Sequence, residues 1–191
     1  MEEQALLDKC AKGDVHAFEE LIAQYQQAII NHAYSMFLNR EDALDMAQET
    51  FIKAFHAISG FNRQSSFKTW LFRIATNVCL DELRRRKRRA ATVSLTAEED
   101  GDGNGAQIDV ADRSADPEEA AQQAFFRRAI ETAIGELDTE YRTAIVLREI
   151  EGMDYNEIAK ATGCSLGTVK SRISRARAQL REKLAKYREL F

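Results

Sequence analysis

The sequence predicts an all-α protein with two helical domains joined by a flexible acidic linker, and three observations carry that prediction. Apolar residues recur at steps of three and four, as in Leu166, Val169, Ile173, Ala176, Leu180 and Leu184, which is the stripe of an amphipathic helix. Between residues 91 and 116 that pattern stops. There Gly101, Gly103 and Gly105 sit among Glu98, Glu99, Asp100, Asp102, Asp109, Asp112 and Asp116, with few aliphatics, the composition of a linker. Elsewhere Asp, Asn or Ser stands before most periodic stretches and Gly after most of them, as helix starts and stops require. The expected domains are therefore 1–90 and 117–191, the second containing a helix-turn-helix.

Bulk properties exclude several classes. With 45% hydrophobic and 30% charged residues, the 191-residue chain has the make-up of an ordinary soluble protein. No apolar run approaches the roughly 20 residues of a membrane span, and Met1-Glu2-Glu3 is no signal-peptide start, so the expected location is the cytoplasm. Cys10, Cys79 and Cys164 are odd in number, far apart and without metal-ligand spacing to His16, His32 or His56. No metal or cofactor is expected. No Gly-rich phosphate loop, G-x-S-x-G or H-E-x-x-H occurs, so no enzyme is expected either. The net charge of −4 argues against nucleic acid on average, but the charges are segregated along the chain.

In the first domain, Glu2 to Ala11 reads as a short helix ended by Gly13. Asp14 then caps one long helix carrying Phe18, Leu21, Ile22, Tyr25, Ile29 and Met36. Asn39 caps the next, with Glu41 and Asp42 in its first turn and Gly60 at its end. Leu44, Ala47, Phe51, Phe55 and Ile58 are expected on its core face. Its outward face carries Asp42, Asp45 and Glu49 with Gln48 at the flank, a poor surface for DNA and a better one for a basic protein. After a polar loop, Phe67 to Arg89 is helical again, with Phe67, Trp70, Leu71, Ile74 and Val78 on one side. It runs into six consecutive cations, Arg84 to Arg89, whose natural complement is a polyanion. Aromatics beside cations, here Phe61, Phe67, Trp70 and Phe72, can hold unstacked bases, although each taken singly also suits a core.

The linker of some 26 residues reaches at most about 85 Å, enough for the two domains to occupy separate sites on an extended target. Asp116, Pro117 and Glu118-Glu119 open the second domain with a residue suited to each position of a helix start. That helix ends at Gly135. Asp138 caps a helix with apolar Tyr141, Ala144, Ile145, Leu147 and Ile150, stopped by Gly152. Asp154 caps a third with Glu157 placed to close a capping box, Thr162-Gly163-Cys164 makes a tight turn, and Ser165 caps a fourth. Opposite the apolar stripe of this last helix lie Gly167, Ser171, Ser174 and Ala178, flanked by Lys170 and Arg175. Small residues between cations let a helix enter the major groove, where Ser, Lys and Arg bond to base edges and phosphates. The face alone would also suit a solvated basic helix, but the helix, three-residue turn and amphipathic helix together make a helix-turn-helix.

Several of these stretches resemble the extracytoplasmic-function sigma factors of bacterial RNA polymerase. Asp42-Ala43-Leu44-Asp45-Met46-Ala47-Gln48-Glu49-Thr50-Phe51 is similar to the family's region 2.2, and Phe67 to Asn77 to region 2.3. The helix through Arg84 is similar to region 2.4, and Tyr155 to Arg177 to region 4.2. The resemblance implies that Asp45, Gln48 and Glu49 contact core RNA polymerase at the β′ clamp helices, with the β flap as a second contact for the chain. It implies minus 10 recognition by Phe61, Phe67, Asn77, Arg84, Arg85 and Arg88, with Asn77 beside a flipped base. It implies minus 35 recognition by Thr168, Lys170, Ser171, Arg172, Ser174, Arg175 and Arg177. Of these, Arg172 and Arg177 lie nearer the apolar stripe, where phosphates or acidic residues are their expected partners. It further implies promoter DNA and an anti-sigma factor as partners. Two other readings stay open: a stand-alone helix-turn-helix regulator dimerising on palindromes, and an RNA-binding adaptor using the Arg run.

Overall fold

Asp14, Asn39 and Asp154 each take up the first free amides of a helix, and these caps set where the helices begin. Asp14 accepts from Ala17 N at 3.0 Å, and Asn39 Oδ1 accepts from Glu41 N and Asp42 N at 2.9 and 3.1 Å. The structure, a computed structural model, describes residues 2–93 and 117–188, with side chains over 3–91 and 122–185. Among the described residues every regular element is a helix. The first unit comprises α1 (Glu2–Cys10), α2 (Val15–Ala23), α3 (Gln26–Phe37), α4 (Arg40–Ala57) with a 3-10 turn at Ile58–Gly60, and α5 (Phe67–Val93). The second comprises α6 (Pro117–Gly135), α7 (Thr139–Ile145), a π turn at Val146–Ile150, α8 (Tyr155–Thr162) and α9 (Leu166–Arg188).

Several sequence expectations are corrected. The helix expected from Asp14 through Met36 is two helices, broken at Gln24–Tyr25. At the break, Tyr25 OH donates to Glu3 at 2.7 Å and its ring meets Phe67 edge-on, so the side chain is tied to α1 and α5. On α4 the buried positions are Ala43, Ala47, Thr50 and Ala54, while Leu44 is 44% exposed. Small residues let α4 lie close to its neighbours and leave its larger apolar side chains at the rim. Ile150 is likewise exposed, because the π turn adds a residue to the helical period. Leu166, the first residue of α9, is exposed as well, before the buried run of Val169, Ile173 and Ala176. Helix α5 continues to Val93, three residues past the expected linker boundary; residues 94–116 and the cap Asp116 lie outside the described residues.

The two units pack on each other: buried side chains of both share a cluster from Leu6 to Ala176, and a smaller one of Ala33, Met36, Ala43 and Cys79 joins α3, α4 and α5. Lys68 Nζ donates to Glu151 O at 2.7 Å, and Thr69 Oγ1 donates to Glu157 Oε1 at 2.6 Å. Arg142 Nη1 donates to Met36 O at 2.6 Å, placing a guanidinium on the carbonyl end of α3, where the helix dipole is negative. Nearby, Leu38 adopts a left-handed conformation (φ 55°) and its side chain fills the space that a Cβ on Gly135 would need.

Candidate nucleic-acid interface

The helix-turn-helix is built by local chemistry. Asp154 Oδ1 accepts from Asn156 N and Glu157 N, and Glu157 Oε2 accepts from Asp154 N at 2.9 Å, closing the predicted capping box. Gly163 turns the chain at φ 65°, a left-handed conformation that glycine takes without the steric cost of a Cβ, and Ser165 Oγ accepts from Thr168 N at 3.1 Å to start α9. Val169, Ile173 and Ala176 are buried, so the opposite face is turned outward. Gly167, Lys170, Ser171, Ser174, Arg175 and Ala178 are all exposed on it, and Thr168 is half-buried at its edge.

The cations of α9 differ in their surroundings. Arg175 Nη1 donates to Tyr141 OH at 3.3 Å and stays at the outer face. Arg172 pairs with Glu140 and donates to Cys164 Sγ at 2.8 Å. Arg177 pairs with Glu149 at 2.6 Å, and that hydrogen bond holds its guanidinium protonated above the usual arginine range. Arg172 and Arg177 thus have the acidic partners that their place near the stripe suggests.

On α5, Arg73, Asn77, Arg84 and Arg88 fall within about 60° of one another at about 100° per residue, and all four are exposed. Arg85 is exposed beside them. At the N-terminal end of this face a pocket of about 260 Å³ is lined by Asn62, Gln64, Ser65, Thr69, Trp70 and Arg73, with Lys160 of α8 at its wall. Asn62 and Gln64 belong to the Phe61 to Phe67 stretch that resembles the family's pocket loop, whereas Arg73 and Lys160 were not singled out in the sequence; the period of α5 could have found Arg73, four residues before Asn77. Phe61 is half-buried, 5.2 Å from the Trp70 ring. Phe67 is only 1% exposed and packs against Tyr25, so it supports the loop from beneath and is corrected from a base-contacting to a core residue.

The Arg run is divided between several partners. Arg84 pairs with Asp81 at 3.0 Å, and Arg85 with Glu82 at 2.5 Å. Arg86 turns inward to Asp42 and Glu82. On α4, Asp45 and Gln48 are exposed and Glu49 pairs with Lys53 at 3.2 Å. This acidic edge is bordered by exposed Leu44 and Ile52, which line an apolar groove of about 580 Å³ with Val15, Phe18, Phe51 and Phe55. Asp42, expected on the same outward face, instead faces α5.

No helix among the described residues is long and apolar enough to cross a membrane. Among them there is also no group of three or more His, Cys, Asp or Glu side chains that could hold a metal ion.

Comparison with known proteins agrees with this layout. Residues 21–89 match Sigma-70 region 2 and residues 127–180 match Sigma-70 region 4. The chain is 37% identical to the RNA polymerase sigma-H factor of Pseudomonas aeruginosa, over 92% of this chain and 90% of that one. It is 36% identical to the ECF RNA polymerase sigma-E factor of Haemophilus influenzae, over 95% of each. Its structure is similar, with a TM-score of 0.69 and 29% identity, to the sigma factor RpoE solved in complex with the anti-sigma factor NepR from Bartonella quintana. That match covers 90% of this chain and 98% of the other. With both sigma regions present in order and relatives matched along nearly their full length, the chain belongs to the ECF sigma factors of RNA polymerase.

Proposed function

We propose a division of labour for this sigma factor, which directs core RNA polymerase to promoters. The α4 edge of Asp45, Gln48 and Glu49, with its apolar border, docks on the polymerase at the β′ clamp helices, and the second unit engages the β flap. The α5 face recognises the minus 10 element through Asn77, Arg84, Arg85 and Arg88, with Phe61 and the adjoining pocket receiving a base displaced from the duplex. The α9 face reads the minus 35 element through Lys170, Ser171, Ser174 and Arg175, with Thr168 at the edge, while Arg172 and Arg177 steady the helix and approach phosphates. The observation that carries this reading is that one chain presents two exposed cationic helix faces, α5 and α9, on separate units, with an acidic docking edge on neither of them.

Separation of the two units on the promoter would break the bonds from Thr69 to Glu157 and from Lys68 to Glu151. An anti-sigma factor is the expected regulator, by analogy with the complex of the similar RpoE. The protein acts in the cytoplasm without catalysis or cofactor of its own. Run-off transcription on a promoter library with core polymerase tests the reading. Initiation that depends on the added chain is expected; tight dimeric binding to palindromes without polymerase would overturn it.

A further inference from the structure

Arg86 lies nine residues beyond Asn77 on α5, which at about 100° per residue puts the two on opposite sides of the helix. Its guanidinium is accordingly turned away from the proposed DNA face and toward α3 and α4. Arg86 Nη1 donates to Asp42 Oδ2 at 2.8 Å and Nη2 to Asp42 Oδ1 at 2.5 Å, a two-pronged pair. Arg86 Nε donates to Glu82 Oε1 at 2.9 Å, and the guanidinium stacks 5.0 Å from the Phe37 ring centre. Asp42 is itself fixed, since its amide donates to the Asn39 cap at 3.1 Å. The hydrogen bond from Arg86 holds the Asp42 carboxyl below its ordinary range, so the pair stays charged through neutral pH.

This grip sits where the helix needs it. Residues 84–91 are all exposed, and six adjacent cations repel one another. Without a tether to another element, that turn of α5 would fray and Arg84 and Arg88 would lose their alignment with Asn77. We propose that Asp42 is a positioning residue for promoter recognition: through Arg86 it holds the cationic half of α5 helical, so that Asn77, Arg84 and Arg88 form one continuous DNA-facing edge. This inference rests on the α5 reading above. It assigns to α4 a role in DNA recognition exerted through α5, separate from the edge formed by Asp45, Gln48 and Glu49.

The sign of one substitution tests it. If Asp42 only neutralises a phosphate-binding cation, Asp42→Asn frees that cation, and promoter binding tightens with a steeper salt dependence. If Asp42 positions the helix, Asp42→Asn weakens promoter binding. The experiment uses full-length chain with core RNA polymerase and a promoter fragment selected by run-off transcription with the wild-type chain. Asp42→Asn is expected to bind core polymerase as wild type does and the promoter about tenfold more weakly, with faster amide exchange at residues 84–91. Asp42→Glu should restore most of the affinity. Arg86→Lys keeps the charge but loses the fork, and should weaken promoter binding about threefold. Unchanged or tighter promoter binding by Asp42→Asn would overturn the proposal, as would a parallel loss of polymerase affinity. Failure of the wild-type chain to support initiation would instead remove the sigma-factor reading of α5 and the proposal with it.

Discussion

Thr69 Oγ1 donates to Glu157 Oε1 at 2.6 Å across the boundary between the two helical units, while the other oxygen of the same carboxylate closes the capping box of α8. One side chain therefore serves both the start of a helix in the second unit and the closure of that unit on the first. Thr69→Val removes only the second role and should cost about 1 kcal/mol in denaturant unfolding of the full chain. Glu157→Ala removes both and should cost about 2 kcal/mol. The double variant should then fall short of additivity by about 1 kcal/mol. Strict additivity would mean that the bond contributes nothing to closure. A fluorophore pair on the two units should report a larger open fraction for Thr69→Val.

Glu151 gives the closed arrangement a pH dependence. It is 8% exposed beside Lys68, and burial pushes its carboxyl up to about 7, against an ordinary value of 4.5, although Lys68 pulls the other way. The folded chain thus holds a proton that the unfolded chain has released. Stability from this group is fully present below pH 4.5 and is lost as pH rises through 7. Glu151→Gln, which cannot ionise, should leave stability at pH 4.5 nearly unchanged and raise it at pH 8 by up to about 3 kcal/mol. Equal effects at both pH values would show that the carboxyl is ordinary.

His32 works in the opposite sense. It is fully buried between α3 and α5, its Nε2 lies 3.3 Å from Thr76 Oγ1, and burial pulls it down to about 4 from 6.5. The unfolded chain binds the proton more readily, so stability is full above pH 6.5 and falls as pH drops toward 4, by about 3 kcal/mol in all. Because Glu151 gains over much of that window, the measurement belongs in the Glu151→Gln background. There, His32→Leu should flatten the decline between pH 6.5 and 5, whatever its stability at pH 8. A decline of unchanged steepness would locate the titration elsewhere.

Much of this architecture was legible in the sequence because its signals are local. Asp14, Asn39, Asp154, Gly163 and Ser165 act on amides within a few residues, and each begins or ends a helix as its chemistry predicts. What the sequence hid depends on partners far along the chain. Tyr25 breaks a helix through Glu3 and Phe67, and Phe67 is drawn into the core by the same contact. Leu44 reads as core by its period but lies at a rim, because the α4 interface is lined with alanines. The helical period alone sets Arg86 opposite Asn77, Arg84 and Arg88 on α5; what only the fold supplies is its partner, Asp42 of α4.

The same distinction between held and outward cations can be tested on α9. Arg177 is held by Glu149, whereas Arg175 donates to the neutral Tyr141 hydroxyl and stands exposed on the outer face of α9. If Arg177 reaches phosphate on the promoter, Glu149 competes for it. Glu149→Gln should then tighten binding to all promoter sequences alike and steepen the salt dependence of holoenzyme binding by about one unit of slope. Arg175→Ala should act differently, costing about 1 to 3 kcal/mol and relaxing discrimination at a single base pair. Binding of both variants across a panel of singly substituted minus 35 sequences separates the roles. A uniform loss from Arg175→Ala would reassign that residue to phosphate, and no gain from Glu149→Gln would make Arg177 a structural partner of Glu149 in the bound state as well as the free one.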